Sequence, residues 1–78
     1  MNLYPNPAKD LLFLDIPLTS QLQDLIVYDL LGQSQKIIYT NQQGKLTVTL
    51  ENELATGVYF IQAILENGEK AVTRFMKE

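Results

Sequence analysis

Residues 54–76, LATGVYFIQAILENGEKAVTRFM, leave this chain the least freedom in how it can fold. The run 58–65 (VYFIQAIL) is rich in β-branched and aromatic residues and lies between Gly57 and Asn67-Gly68, the pattern of a mostly buried strand that ends in a turn. The Asn-Gly pair permits two hairpin registers, and a one-residue slip between them sends every side chain to the opposite face. A two-residue turn sets Ile61 against Arg74 and Leu65 against Lys70. A three-residue loop with Gly68 in the left-handed position of a bulge instead puts Tyr59, Ile61, Ala63 and Leu65 on the face shared by Ala71, Thr73 and Phe75. The second register is the one we expect.

Just upstream, Leu54-x-x-Gly57-x-Tyr59 has the spacing of a tyrosine corner, in which a strand's first large aromatic packs inward while its hydroxyl bonds backbone a few residues back. That device belongs to Greek-key sandwiches. Even as a plain core aromatic, Tyr59 would need a partner for its hydroxyl. Gly57 permits the backbone geometry of the corner.

The remaining chain reads as further short strands. Two prolines flank Asn6 near the start, fixing two backbone angles and removing two amide donors, so residues 3–8 (LYPNPA) form a turn or an edge. Asn6 can bond neighbouring backbone through its side chain, which makes the motif a rigid lead-in to the first full strand. Residues 10–16 (DLLFLDI) place Leu12, Leu14 and Ile16 on the inward face, and Pro17 ends that strand. The polar residues 19–24 read as a loop, and 25–29 (LIVYD) as the next strand. Leu30-Leu31-Gly32-Gln33 then makes a turn, with at least one leucine expected to tuck under the sheet or cover an end of the core. The return strand is 34–39, and Asn41-Gln42-Gln43-Gly44 the turn after it. Leu46, Val48 and Leu50 alternate with Thr47 and Thr49, implying a strand with one wet face. The only helical rival, 18–31, has a β-branched centre and no sustained 3.6-residue period. The expectation is an all-β fold, a small antiparallel sandwich of about six or seven strands.

With 78 residues there is room for one domain, residues 1–78, and a modest core. An apolar share of 46 % is too high for a disordered tail. The chain has no cysteine, so neither disulfides nor thiolate zinc sites reinforce that core. Nine acidic residues against six basic give a net charge of −3 with no block of like charge, so nucleic acid is not an expected partner. No stretch is apolar for long enough to cross a bilayer, and no membrane insertion is expected.

Four pieces, YPNPAKD, VYDLLGQ, LATGVYF and KAVTRFMKE, occur in an order and spacing that resembles the type A C-terminal sorting domain of the type IX (Por) secretion system of Bacteroidetes. The resemblance spans residues 3–78. It implies an immunoglobulin-like β-sandwich at the end of a longer secreted protein, with cargo on its N-terminal side. The domain would be recognised in the periplasm, guide its cargo through the outer-membrane translocon, and be cut off by a sortase at the cell surface. The cut would fall upstream of this chain, and the cargo is often then attached to an anionic lipopolysaccharide. By the same resemblance, Pro5, Asn6 and Pro7 match the family's early motif, Gly57 and Tyr59 the motif that opens the long strand, and Lys77 the basic character of the terminus. The family often has a proline between the leucine and glycine of the corner. Here Ala55-Thr56 stands there, implying a looser turn.

An enzyme is not expected. The chain has no histidine or cysteine, and Ser20 and Ser34 have no partner at a recognisable spacing. Glu51 and Glu53 read as a solvated edge. The acidic residues lack the spacing of a calcium loop, and the four glycines are scattered among turns, so no cofactor is expected. Recognition would then fall to an open sheet edge or to side chains standing on one face. Residues 70–77 are the stretch we expect the export machinery to read, and exposed edges make strand-to-strand dimers plausible. The rival function is an adhesive or carbohydrate-binding sandwich, for which Tyr28, Tyr39 and Phe60 are the aromatics that could stand free.

Overall fold

The computed structural model describes residues 2–16, 21–42, 45–50 and 54–78. Alternating apolar and polar residues build eight strands: β1 (Asn2–Tyr4), β2 (Leu11–Asp15), β3 (Leu22–Tyr28), β4 (Ser34–Gln35), β5 (Ile37–Gln42), β6 (Lys45–Leu50), β7 (Gly57–Leu65) and β8 (Lys70–Lys77). They form two antiparallel sheets, β1-β2-β6-β5 and β4-β3-β7-β8. Lettered along the chain with β4 as C′, the sheets read A-B-E-D and C′-C-F-G, the strand order in which immunoglobulin sandwiches are described plus one short strand.

The core is the facing pair of inner surfaces. Leu12, Leu14, Leu46, Val48 and Leu50 from one sheet meet Val27, Ile61, Ala63 and Phe75 from the other, each at most 2 % exposed. Strand alternation delivers all of them from every second position, as expected for Leu12, Leu14 and Ile16 of the first full strand and for Leu46, Val48 and Leu50.

The β7–β8 hairpin takes the three-residue register. Tyr59 lies opposite Phe75, Ile61 opposite Thr73 and Ala63 opposite Ala71. The loop closes with the Leu65 amide donating to the Glu69 carbonyl at 2.9 Å. Gly68, at φ 91°, occupies the left-handed position that residues with a Cβ adopt only at a cost.

Several details of the expected strand pattern need correction. Against about six or seven expected strands there are eight, partly because Leu3 and Tyr4 pair with Leu14 and Phe13. Residues 34–39 are not one strand: Gln35 pairs with Val27 in one sheet, Ile37 with Leu50 in the other, and the chain changes sheets at Lys36. Sheets stacked about 10 Å apart cannot share one ladder, so the strand must break where it crosses. Within the stretch 19–24 expected as a loop, Leu22, Gln23 and Asp24 already belong to β3. A register shift between Leu22 and Asp24 marks a bulge, and Asp24 Oδ1 accepts the Leu25 amide at 2.8 Å, which gives the strand's start its polar look. Likewise Asn41 and Gln42, expected in a turn, extend β5, with Gln42 opposite Lys45.

The turn after β3 forms with Gly32 at φ 82°, but neither leucine tucks under: Leu30 is 68 % and Leu31 84 % exposed. The cause is Asp29, whose Oδ1 accepts the amides of Leu31 and Gln33, both at 2.9 Å. The carboxylate gathers the loop's backbone beneath it and leaves both side chains at the tip. Pro17, Ser20, Glu51 and Glu53, and the remaining residues expected in the turn at 41–44, lie outside the described residues.

Candidate functional site: the clasp between the two chain ends

Pro5, Asn6 and Pro7 sit where the chain leaves one sheet for the other. Before them β1 pairs with β2, and after them Ala8 forms a parallel bridge with Lys77 of β8. A proline has no N–H, so the crossing strands no amide at positions 5 and 7. The Tyr4–Pro5 and Asn6–Pro7 peptide bonds are both cis.

Hairpin register decides what the crossing segment meets. Because Leu65 and Glu69 are bonded to each other, odd-numbered residues of β8 direct their backbone groups at β7 and even-numbered ones direct theirs outward. The outward groups of Met76 and Glu78 are taken by the N-terminal segment. Ala8 N donates to Met76 O at 2.8 Å, Glu78 N donates to Ala8 O at 2.7 Å, and Met76 N donates to Asn6 Oδ1 at 3.0 Å. The Asn6 side chain thus stands in for a strand carbonyl, extending by one bond a ladder that its flanking prolines would otherwise interrupt.

The corner abuts the clasp. Gly57 lies opposite Lys77, and Tyr59 stacks on Phe75 at 5.8 Å between ring centroids with 25° between planes. Tyr59 Oη donates to Ala55 O at 2.6 Å, the backward bond that the spacing from Leu54 predicts. Ala55-Thr56 in place of a proline does not prevent it. Leu54 packs against the buried core.

These positions are the ones on which the resemblance of the sequence rested. The family described as the secretion system C-terminal sorting domain matches residues 2–78. The chain belongs to this family of type IX sorting domains. No curated protein and no solved structure matches it.

Within the sorting domain, then, residues from opposite ends of the sequence form one contiguous patch. Pro5, Asn6 and Pro7 are exposed on it. Lys77 is not: it is 9 % exposed, its stem lies on the inward side of β8 with Phe75, and its Nζ donates to the Glu78 main-chain oxygen at 2.8 Å. Ile61 is in the middle of the core and Gly68 in the hairpin loop, far along β7 from the clasp. Ala8, fully buried and bonded to both Met76 and Glu78, carries the clasp as much as Asn6 does, yet only its position after the second proline marks it in the sequence.

The aromatics that could stand free under the rival function each make a contact. Tyr28 stacks on Phe60 at 5.6 Å, both half-buried on the outer face of the second sheet, and Tyr39 packs against the core. Among the described residues no group of three or more acidic, histidine or cysteine side chains could hold a metal ion. What the clasp offers chemically is shape, backbone hydrogen bonds and an open groove of about 340 Å³ lined by Asn6, Val58, Arg74, Phe75 and Met76.

Proposed function

We propose that the sorting domain is a non-catalytic address at the end of a longer protein, read by the type IX translocon and afterwards removed by a cell-surface sortase that cuts upstream of residue 1. The observation that carries this reading is the family match over residues 2–78. Its cargo lies on the N-terminal side and reaches the cell surface or the medium. The portion read is β8 together with the Asn6–Ala8 segment bonded to it; the hydrogen bonds that join the two ends of the chain into one surface support this reading.

Deleting residues 75–78 from a cargo carrying this domain tests the reading. Cargo secreted in full after that deletion overturns it. Phe75 is 1 % exposed and its loss alone could unfold the sandwich, so circular dichroism of the truncated domain accompanies the assay. A Met76→Ser, Glu78→Gln pair keeps Phe75 in place and is the companion variant: the reading expects export to fall while the spectrum stays unchanged.

A further inference from the structure

The clasp covers only the last third of β8. Lys70, Val72 and Arg74, the other even-numbered positions, also turn their N–H and C=O groups away from β7, and no described residue pairs with them. This is an open sheet edge, the kind of site to which an extended segment adds as a further strand.

Its side chains narrow what can be added. Half of the chain's six cationic residues lie in β8, and β8 has no acidic one, although the chain as a whole is at −3. Across the ladder Lys70 and Arg74 face Ile64 and Phe60, so neither has a carboxylate opposite it. Val72 lies between them, 51 % exposed, and Ala71 and Thr73 offer little bulk on the inner side.

A second copy of the chain fits badly. Antiparallel self-pairing that uses all three open positions is centred on Val72 and sets Lys70 directly opposite Arg74 twice, and like charges directly opposite each other destabilise a sheet. The edge that would join two copies is therefore blunted by its own cations.

We propose that the Lys70–Arg74 edge is a docking site for one extended strand of another protein, with acidic residues beside Lys70 and Arg74 and an apolar residue beside Val72. Such a strand pairs with the open backbone groups, alternates acidic and apolar side chains at every second position, and ends where Asn6 caps Met76. The groove lined by Asn6, Val58, Arg74, Phe75 and Met76 receives its last side chain. The inference deepens the reading of β8 as the recognised strand, but its test needs no secretion.

The test is a titration of the isotope-labelled domain with a capped peptide, Thr-Glu-Thr-Val-Thr-Glu-Thr, followed by amide shifts and hydrogen exchange. The expected result is saturable shifts with new protection of the Val72 and Arg74 amides, and binding at least tenfold weaker when both glutamates are lysine. Binding also falls as salt rises. N-methylation of the peptide at its glutamates and valine, which leaves the domain untouched, abolishes the effect. Arg74→Glu reverses the selectivity: it rejects the acidic peptide and, with Lys70 now opposite Glu in the self-paired register, forms a dimer seen by light scattering. Unperturbed Val72 and Arg74 amides, or equal binding of the glutamate and lysine peptides, would overturn the proposal. If these fail while cargo export still requires β8, the edge is not the docking site and the sorting role stands. If they succeed while export does not need β8, the reverse holds.

Discussion

At Tyr59 one hydroxyl ties the long strand back to the residues that lead into it. Removing it as Tyr59→Phe keeps the stack on Phe75 and loses only the bond to Ala55 O, so unfolding in urea should show a loss of about 0.5–1.5 kcal/mol. Asn6 does comparable work from the opposite end of the chain. Asn6→Ala leaves the Met76 amide to water and lowers stability by about 0.5–1 kcal/mol, whereas Asn6→Asp retains an acceptor and should match the native curve. Export by the Asp variant then separates the two roles of this residue, since normal stability with lost export means its amide is read directly. Leu30 and Leu31 predict the contrary behaviour: with so much of each exposed, replacing both by serine should move stability by no more than about 0.5 kcal/mol. A larger loss by the same denaturation would show that the tip packs against something.

At the scale of the element, the β7–β8 hairpin is where sequence and structure agree most closely. Its register was legible because only one of the two loop lengths sets Tyr59, Ile61, Ala63 and Leu65 on the face shared by Ala71, Thr73 and Phe75 instead of Lys70 and Arg74, and Gly68 supplies the positive φ that this length needs. Gly68→Val should therefore destabilise by about 1–3 kcal/mol through backbone strain alone, because the site itself has open space for a side chain. Thermal melting of the variant checks this. The Ser34–Gln42 stretch was not legible in the same way. Nothing local to Lys36 says that the strand changes sheets there, since both halves keep ordinary strand composition and the break is dictated by where β3 and β6 lie. The start of β3 was hidden for a different reason, its polar bulge imitating a loop. The clasp was legible only in pieces: the sequence offered Pro-Asn-Pro and the terminal strand separately, and no periodicity relates residues seventy positions apart.

For the whole molecule, a Cα radius of gyration of 11.7 Å sits beside about 11.5 Å expected for a folded domain of this length, so the two sheets close fully on each other despite the small core. The chain crosses between the sheets at Pro5-Asn6-Pro7 and again at Lys36, lacing both open sides of the sandwich. A domain tied in this way holds Met76 and Glu78 against the Asn6–Ala8 segment in one fixed geometry, and that geometry exists only when the sandwich is folded. The measurement that addresses this most directly is the fate of a reporter fused ahead of residues 1–78 in a host with a working type IX system. The account predicts that the reporter appears at the cell surface or in the medium without the domain. A reporter that stays in the periplasm with the folded domain still attached would contradict it.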